Sequence, residues 1–225
     1  MLKQLIKKIL GITQVVTTTQ NLSLFTESTF RRALYFKKLI DLIGNVEGAI
    51  IECGVGQGNG LAVLCSLVSL EKKNRPIWAF DSFEGFPQTT ENDVLKTTAL
   101  TQYKQFTLEY VFKTLVQFGL SRSDIDRMIR IAKGYIPDSL SQYDQKSVAF
   151  INVDLDIYQS YKDALEYFYP FVVPGGIIAF DEYNKILDIA KWPGALKAID
   201  EFVEKNNLKS KLVKDEYTGN CYLIK

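Results

Sequence analysis

FINVDLDIYQSY, residues 150–161, decides how the chain is read. An apolar run of the kind that fills a strand buried on both faces stops abruptly at Asp154 and Asp156. Further on, GGIIAFDEY, residues 175–183, repeats the pattern and stops at Asp181 and Glu182. Acid pairs at the ends of buried strands repel one another and lose hydration, so something must compensate them. Each pair has a plainer explanation: Asp154 or Asp156 as the cap of a helix beginning near Tyr158, Asp181 and Glu182 as a solvated loop. Both pairs together, at adjacent strand ends, favour a shared cation.

Working outward, GAIIEC (48–53), PIWAF (76–80), MIRIAKG (128–134), SVAFINVD (147–154) and GGIIAFD (175–181) read as strands. Helical patterns lie at 26–43, 61–73, 106–120, 163–172 and 193–207. The stretch SKLVKDEYTGNCYLIK (210–225) holds two β-like runs around a Thr218-Gly219-Asn220 turn. The alternation predicts an α/β fold with helices on both faces of a mostly parallel seven-stranded sheet, its antiparallel strand coming from the C-terminal hairpin. Such sheets take ligands at the carboxyl ends of their strands. Glu52, Asp81, Asp154, Asp156, Asp181 and Glu182 therefore share one rim.

Composition narrows the chemistry. Among 225 residues there is no histidine, which removes the commonest general base and the commonest ligand for zinc or iron. Catalysis must then run on carboxylates, lysines, tyrosines or a hard metal ion. A net charge of +1 gives no global field for nucleic acid. The three cysteines form no CxxC pair and point to a reducing, cytoplasmic setting. No apolar run reaches the roughly 18 residues that span a bilayer. The N-terminal MLKQLIKKIL has an apolar and a basic face, as expected of a docking or homodimer helix, with membrane-surface binding the alternative.

ECGVGQGNG, residues 52–60, follows the first strand and opens a helix. Its glycines let a ligand approach the main chain, but Asn59 breaks the GxGxxG dinucleotide fingerprint, and no Gly-Lys-Ser/Thr follows for a P-loop. Asp81 ends the second strand, where a carboxylate can accept both hydroxyls of a ribose. Together these features indicate a nucleoside cofactor, and the broken fingerprint disfavours NAD against S-adenosylmethionine. On the acid rim, oxygen-only donors indicate a hard ion, Mg²⁺ before Ca²⁺ or Mn²⁺.

IECGVGQGNG, AFDSFEGFP, KGYIPDSL, the stretch 152–183 and PGALKAIDEF resemble the macrocin O-methyltransferase family of class I, Rossmann-like, S-adenosylmethionine-dependent enzymes. The similarity runs from about residue 48 onward and is most specific over 152–183. It implies that Glu52, Cys53, Gly54, Gly56, Asn59 and Gly60 hold the methionyl part of the cofactor, with Asp81 and Ser82 at its ribose. Gly134 and Tyr135 would lie near the adenine, and Asp154 would touch both cofactor and ion. Asp154, Asp181 and Glu182 match the family's Mg²⁺ ligands and Asp156 its general base; Glu182 stands where the family usually has Asp.

The expected activity is methyl transfer to a hydroxyl of a sugar or glycoside, small molecule or glycan, with a vicinal oxygen. Rivals are a catechol-like phenol as acceptor, an NAD-dependent oxidoreductase, and a non-catalytic scaffold. The expected organisation is a helical region at 1–45 that lines the acceptor pocket or a dimer contact, then a methyltransferase domain at 46–225. A lid is expected at 85–105, where Phe86, Tyr103 and Phe106 more commonly anchor the lid than line the acceptor pocket; Trp192 is open between the same two roles, and Lys185 reads as a solvated lysine before an added charge near the acceptor.

Overall fold

The computed structural model describes residues 26–71, 73, 75–93, 103–144, 147–184 and 191–225. The N-terminal docking helix, the middle of the expected lid and Lys185 lie outside these residues. Seven strands, β1 (Ala49–Cys53), β2 (Ile77–Asp81), β3 (Ile129–Lys133), β4 (Val148–Val153), β5 (Val172–Phe180), β6 (Leu212–Lys214) and β7 (Cys221–Ile224), form one sheet in the order β3-β2-β1-β4-β5-β7-β6. β1 to β5 pair in parallel, and β7 runs antiparallel to both β5 and β6. The predicted architecture is therefore the one observed.

The described α-helices are α1 (Glu27–Ile43), α2 (Asn59–Glu71), α3 (Leu108–Gln117), α4 (Arg122–Met128), α5 (Tyr158–Phe168) and α6 (Pro193–Lys205). Strand alternation sends Ile50, Phe150 and Ile177 to one face, where α1, α2 and α3 pack with Phe36, Leu39, Leu61, Leu64 and Val111. Ile51, Ile151 and Ile178 face the other way, onto Tyr161, Leu165 and Phe168 of α5 and Ile199 and Phe202 of α6. Each fully buried side chain of this size contributes about 1.5–3 kcal/mol. No described helix is long and apolar enough to cross a membrane.

Some elements depart from the sequence reading. α5 begins at Tyr158, where the capping argument put it and five residues ahead of the apolar pattern at 163–172. It ends where Tyr169–Phe171 tighten into a 3₁₀ turn around Pro170, so β5 starts at Val172 rather than 175. α4 was not anticipated; its seven residues are too few to show a helical period, although Ser121 caps it by accepting the Asp124 N–H at 3.1 Å.

Candidate active site

The parallel register carries the ends of β1 to β5 to one rim. Backbone hydrogen bonds tie the rim together: Gly134 N–H donates to Asp81, Gly54 N–H to Phe80, Asp154 N–H to Cys53 and Asp181 N–H to Val153, at 2.9, 2.9, 2.8 and 3.0 Å. Because β7 is antiparallel to β5, its first residues return to the same rim, and Asn220 Nδ2 donates to Asp181 Oδ1 at 3.3 Å. A cavity of about 350 Å³ opens above.

The glycine loop forms one wall. At Gly54, φ is +87° and a Cβ would lie 1.6 Å from the Asp154 carbonyl oxygen, so only glycine lets β1 and β4 close at this point. Asp81 steadies the loop: its Oδ2 accepts the N–H groups of Val55 and Gly56 at 2.8 and 3.1 Å, and its Oδ1 that of Phe83 at 2.7 Å. Oδ2 thus has both its lone pairs engaged, and Oδ1 keeps one for a ligand. Ser82 donates to the Gly85 carbonyl at 2.7 Å and closes the next turn.

Gly54, Gly56, Asn59, Gly60, Asp81, Ser82, Gly134, Tyr135 and Asp154 all line the cavity. Glu52 and Cys53, expected to help hold the cofactor, are not among the lining residues. Cys53 packs in the core with Ile51 and Val153, because strand alternation turns its side chain inward. Glu52 is buried behind the wall, under Gly60, where a Cβ would come within 2.3 Å of its Oε1. Burial pushes the Glu52 carboxyl well above its usual range, with Arg32 pulling the other way.

The acids that opened the sequence reading converge here. Neither Asp154 nor Asp156 caps α5. That cap comes from Asp93, 65 residues away, whose Oδ1 accepts the Tyr158 N–H at 2.8 Å while its Oδ2 accepts the Thr90 N–H and hydroxyl, both at 2.9 Å. Glu182 is only 2% exposed, so it is no solvated loop residue. Asp154, Asp156 and Glu182 each offer an oxygen within 4.8 Å of the others. Asp156 holds φ at +63°, a left-handed conformation that costs an L-residue about 1–2 kcal/mol and is commonest at functional sites.

Burial, and then the charge of Asp154, push both Asp156 and Glu182 well above the usual carboxylate range. Tyr161, fully buried on α5, packs against Glu182 and donates its hydroxyl to the Val153 carbonyl. Glu182 Oε2 is buried with no hydrogen-bond partner among the described residues. A buried carboxylate oxygen without a donor, beside two further acids, suits a divalent ion with oxygen ligands.

The clustered acids and the expected ligand set share only Asp154 and Glu182. Asp181 lines the cavity but is engaged by Arg32 of α1, a residue the sequence reading missed. Arg32 Nη1 donates to Asp154 Oδ2 at 3.0 Å, and Nη2 to Asp181 Oδ2 and Oδ1 at 3.1 and 3.2 Å. The charge of Asp181 acts most strongly on the guanidinium and, with those of Asp154 and Glu52, outweighs desolvation to hold its pKa above the ordinary value.

Aromatic side chains complete the cavity: Phe86, Tyr103, Phe106 and Trp192 all line it, the less favoured of the two roles read from the sequence. Phe86 lies 4.8 Å from Tyr103 and 6.0 Å from Trp192, and Tyr103 lies 5.7 Å from Phe106, centroid to centroid. Lys191, also unforeseen, places Nζ 5.0 Å from the Trp192 ring centroid and acts electrostatically on Asp156.

A glycine loop after the first strand, an acid at the end of the second and a hairpin closing a seven-stranded sheet define a class I methyltransferase. Residues 30–223 match the family model described as macrocin O-methyltransferase (TylF), and the chain belongs to that family. It is an S-adenosylmethionine-dependent O-methyltransferase, which sets aside the oxidoreductase and scaffold alternatives.

A relative in Streptomyces niveus, demethyldecarbamoylnovobiocin O-methyltransferase, is 26% identical over 182 residues, 80% of this chain and 67% of that protein. Mycinamicin III 3''-O-methyltransferase of Micromonospora griseorubida is 25% identical over 182 residues, 77% of this chain and 67% of that protein. The crystal structure of a calicheamicin methyltransferase superposes with a TM-score of 0.74 at 25% identity, covering 98% of this chain and 90% of that one.

Proposed function

We propose that the enzyme methylates a hydroxyl of a sugar or glycoside carrying a neighbouring oxygen, with Mg²⁺ bound at the acid rim. The observation that carries this reading is the convergence of Asp154, Asp156 and Glu182 within 4.8 Å at the cavity floor. The names of the relatives, which include glycoside-tailoring methyltransferases, support a sugar as acceptor over a catechol-like phenol.

Gly54, Gly56, Asn59 and Gly60 would hold the methionyl part of the cofactor, Asp81 and Ser82 its ribose, and Gly134 and Tyr135 its adenine. Asp154 and Glu182 would hold the ion, with Asp181 completing the set. When bound, S-adenosylmethionine supplies an electrophilic methyl group and Mg²⁺ makes an attached hydroxyl more acidic. Asp156 takes the proton that the acceptor hydroxyl gives up as its oxygen gains the methyl group. A carboxyl held above its usual range is a better matched base than an ordinary carboxylate. The aromatic wall shields the acceptor from water, and α1 closes the near side through Ser28, Thr29 and Arg32. The reading also places the enzyme in the cytoplasm.

The test is methyl transfer from S-adenosylmethionine to a panel of nucleoside diphosphate sugars, glycosides and catechol, with and without EDTA. Turnover of a sugar acceptor that stops with EDTA and returns with Mg²⁺ is the expected result. Turnover of catechol alone would move the acceptor to the phenol class, and turnover indifferent to EDTA would remove the metal.

A further inference from the structure

Arg32 does more than the fold asks of it. α1 is already docked by Tyr35, Phe36, Leu39, Ile40 and Ile43, each at most 2% exposed, so no ion pair is needed to hold the helix on the sheet. Arg32 nevertheless reaches the rim, its side chain 27% exposed, and bridges carboxylates at the ends of two different strands. The planar guanidinium suits this bridging as a lysine's point charge would not. Its two partners, Asp154 and Asp181, are both residues assigned above to the metal, whereas Asp156 and Glu182, the remaining acids of the floor, are not among its hydrogen-bond partners.

We infer that Arg32 is a built-in counter-ion that competes with the divalent metal for Asp154 and Asp181, so that loading the site releases the latch between α1 and the rim. The inference rests on the metal reading above. The guanidinium takes Asp154 Oδ2 and both oxygens of Asp181, and those lone pairs cannot serve the arginine and an ion together. Exchange of one cation for another keeps the acid rim compensated in both states. It lowers the apparent metal affinity by whatever the arginine contacts are worth. Asn220, which also donates to Asp181, stays available to steady that side chain after the exchange.

The experiment is calorimetric titration of MgCl₂ into the cofactor-free enzyme and its Arg32→Ala and Arg32→Lys variants, with melting curves at zero and saturating Mg²⁺. Two partly exposed ion pairs together correspond to about a tenfold change in binding constant. Arg32→Ala is expected to bind Mg²⁺ about tenfold more tightly, with Arg32→Lys between it and the parent. Without metal Arg32→Ala should melt below the parent, and saturating Mg²⁺ should close the gap. Equal or weaker Mg²⁺ binding by Arg32→Ala would overturn the inference. Should that variant fail to fold, unchanged affinity in Arg32→Lys would do the same. If the parent binds S-adenosylmethionine but neither it nor the variants bind Mg²⁺, the metal reading itself falls and takes the competition with it.

Discussion

Replacing Asp93 with alanine tests the claim on which the acid rim depends, that the α5 cap is supplied from outside the motif. Three hydrogen bonds disappear: one from the Tyr158 N–H at the helix start, and two from Thr90 that order the turn before it. A lost helix cap costs about 1 kcal/mol. The two Thr90 bonds, partly open to solvent, add about 1 kcal/mol more. For a chain of this length about 2 kcal/mol corresponds to a melting temperature lower by roughly 4–8 °C. Asp93→Asn keeps one acceptor oxygen and should lose about half as much. The assay is differential scanning calorimetry of metal-free protein, with Asp154→Asn and Asp156→Asn alongside. A drop of under about 1 °C in Asp93→Ala, with a full drop in either of the others, would return the capping role to the acid motif and empty the rim of its purpose.

Asp156→Asn should lower the single-turnover rate of methyl transfer by about 10²–10⁴ while leaving the fold intact, because asparagine tolerates a positive φ as aspartate does. A loss of less than about threefold would show that the proton goes elsewhere. Glu52→Gln carries a pH signature. Burial raises the Glu52 carboxyl in the folded protein, so its contribution to stability is full below about pH 4.3 and is lost as pH rises through the folded value. Glutamine does not titrate, so the variant should gain on the parent from about pH 4.3 upward; melting curves with a constant difference between pH 4 and 8 would refute this.

What could be read from the sequence was whatever depends on neighbours along the chain. The apolar runs that became β1, β2, β4 and β5 announced buried parallel strands, and the acids that end them announced the rim. The C-terminal hairpin was legible from its turn residues, but its service to the site was not, since nothing in Thr218-Gly219-Asn220 says that Asn220 will face Asp181. The start of α5 near Tyr158 was legible, but its cap was not, because Asp93 lies far away in the chain and leaves no local mark. Arg32 was hidden for a related reason. It stands beside Arg31, which pairs with Glu27 at the helix surface, and spacing alone cannot say which of two adjacent arginines turns inward. That the Cys53 side chain would turn into the core follows from the period of the strand, which the glycine motif alone does not show.

The chain has only two tryptophans, and they fall in different places. Trp78 lies in β2, stacked 6.1 Å from Phe80 and edge-on 5.4 Å from Tyr143, deep in the sheet. Trp192 stands on the cavity wall beside Phe86. The intrinsic fluorescence of the protein therefore divides into two signals: quenching on addition of cofactor or acceptor belongs to Trp192, and the red shift of unfolding is shared by both. A Trp192→Phe protein would keep a fold reporter that is silent to ligands, and the difference between its spectrum and the parent's would be the spectrum of the pocket alone.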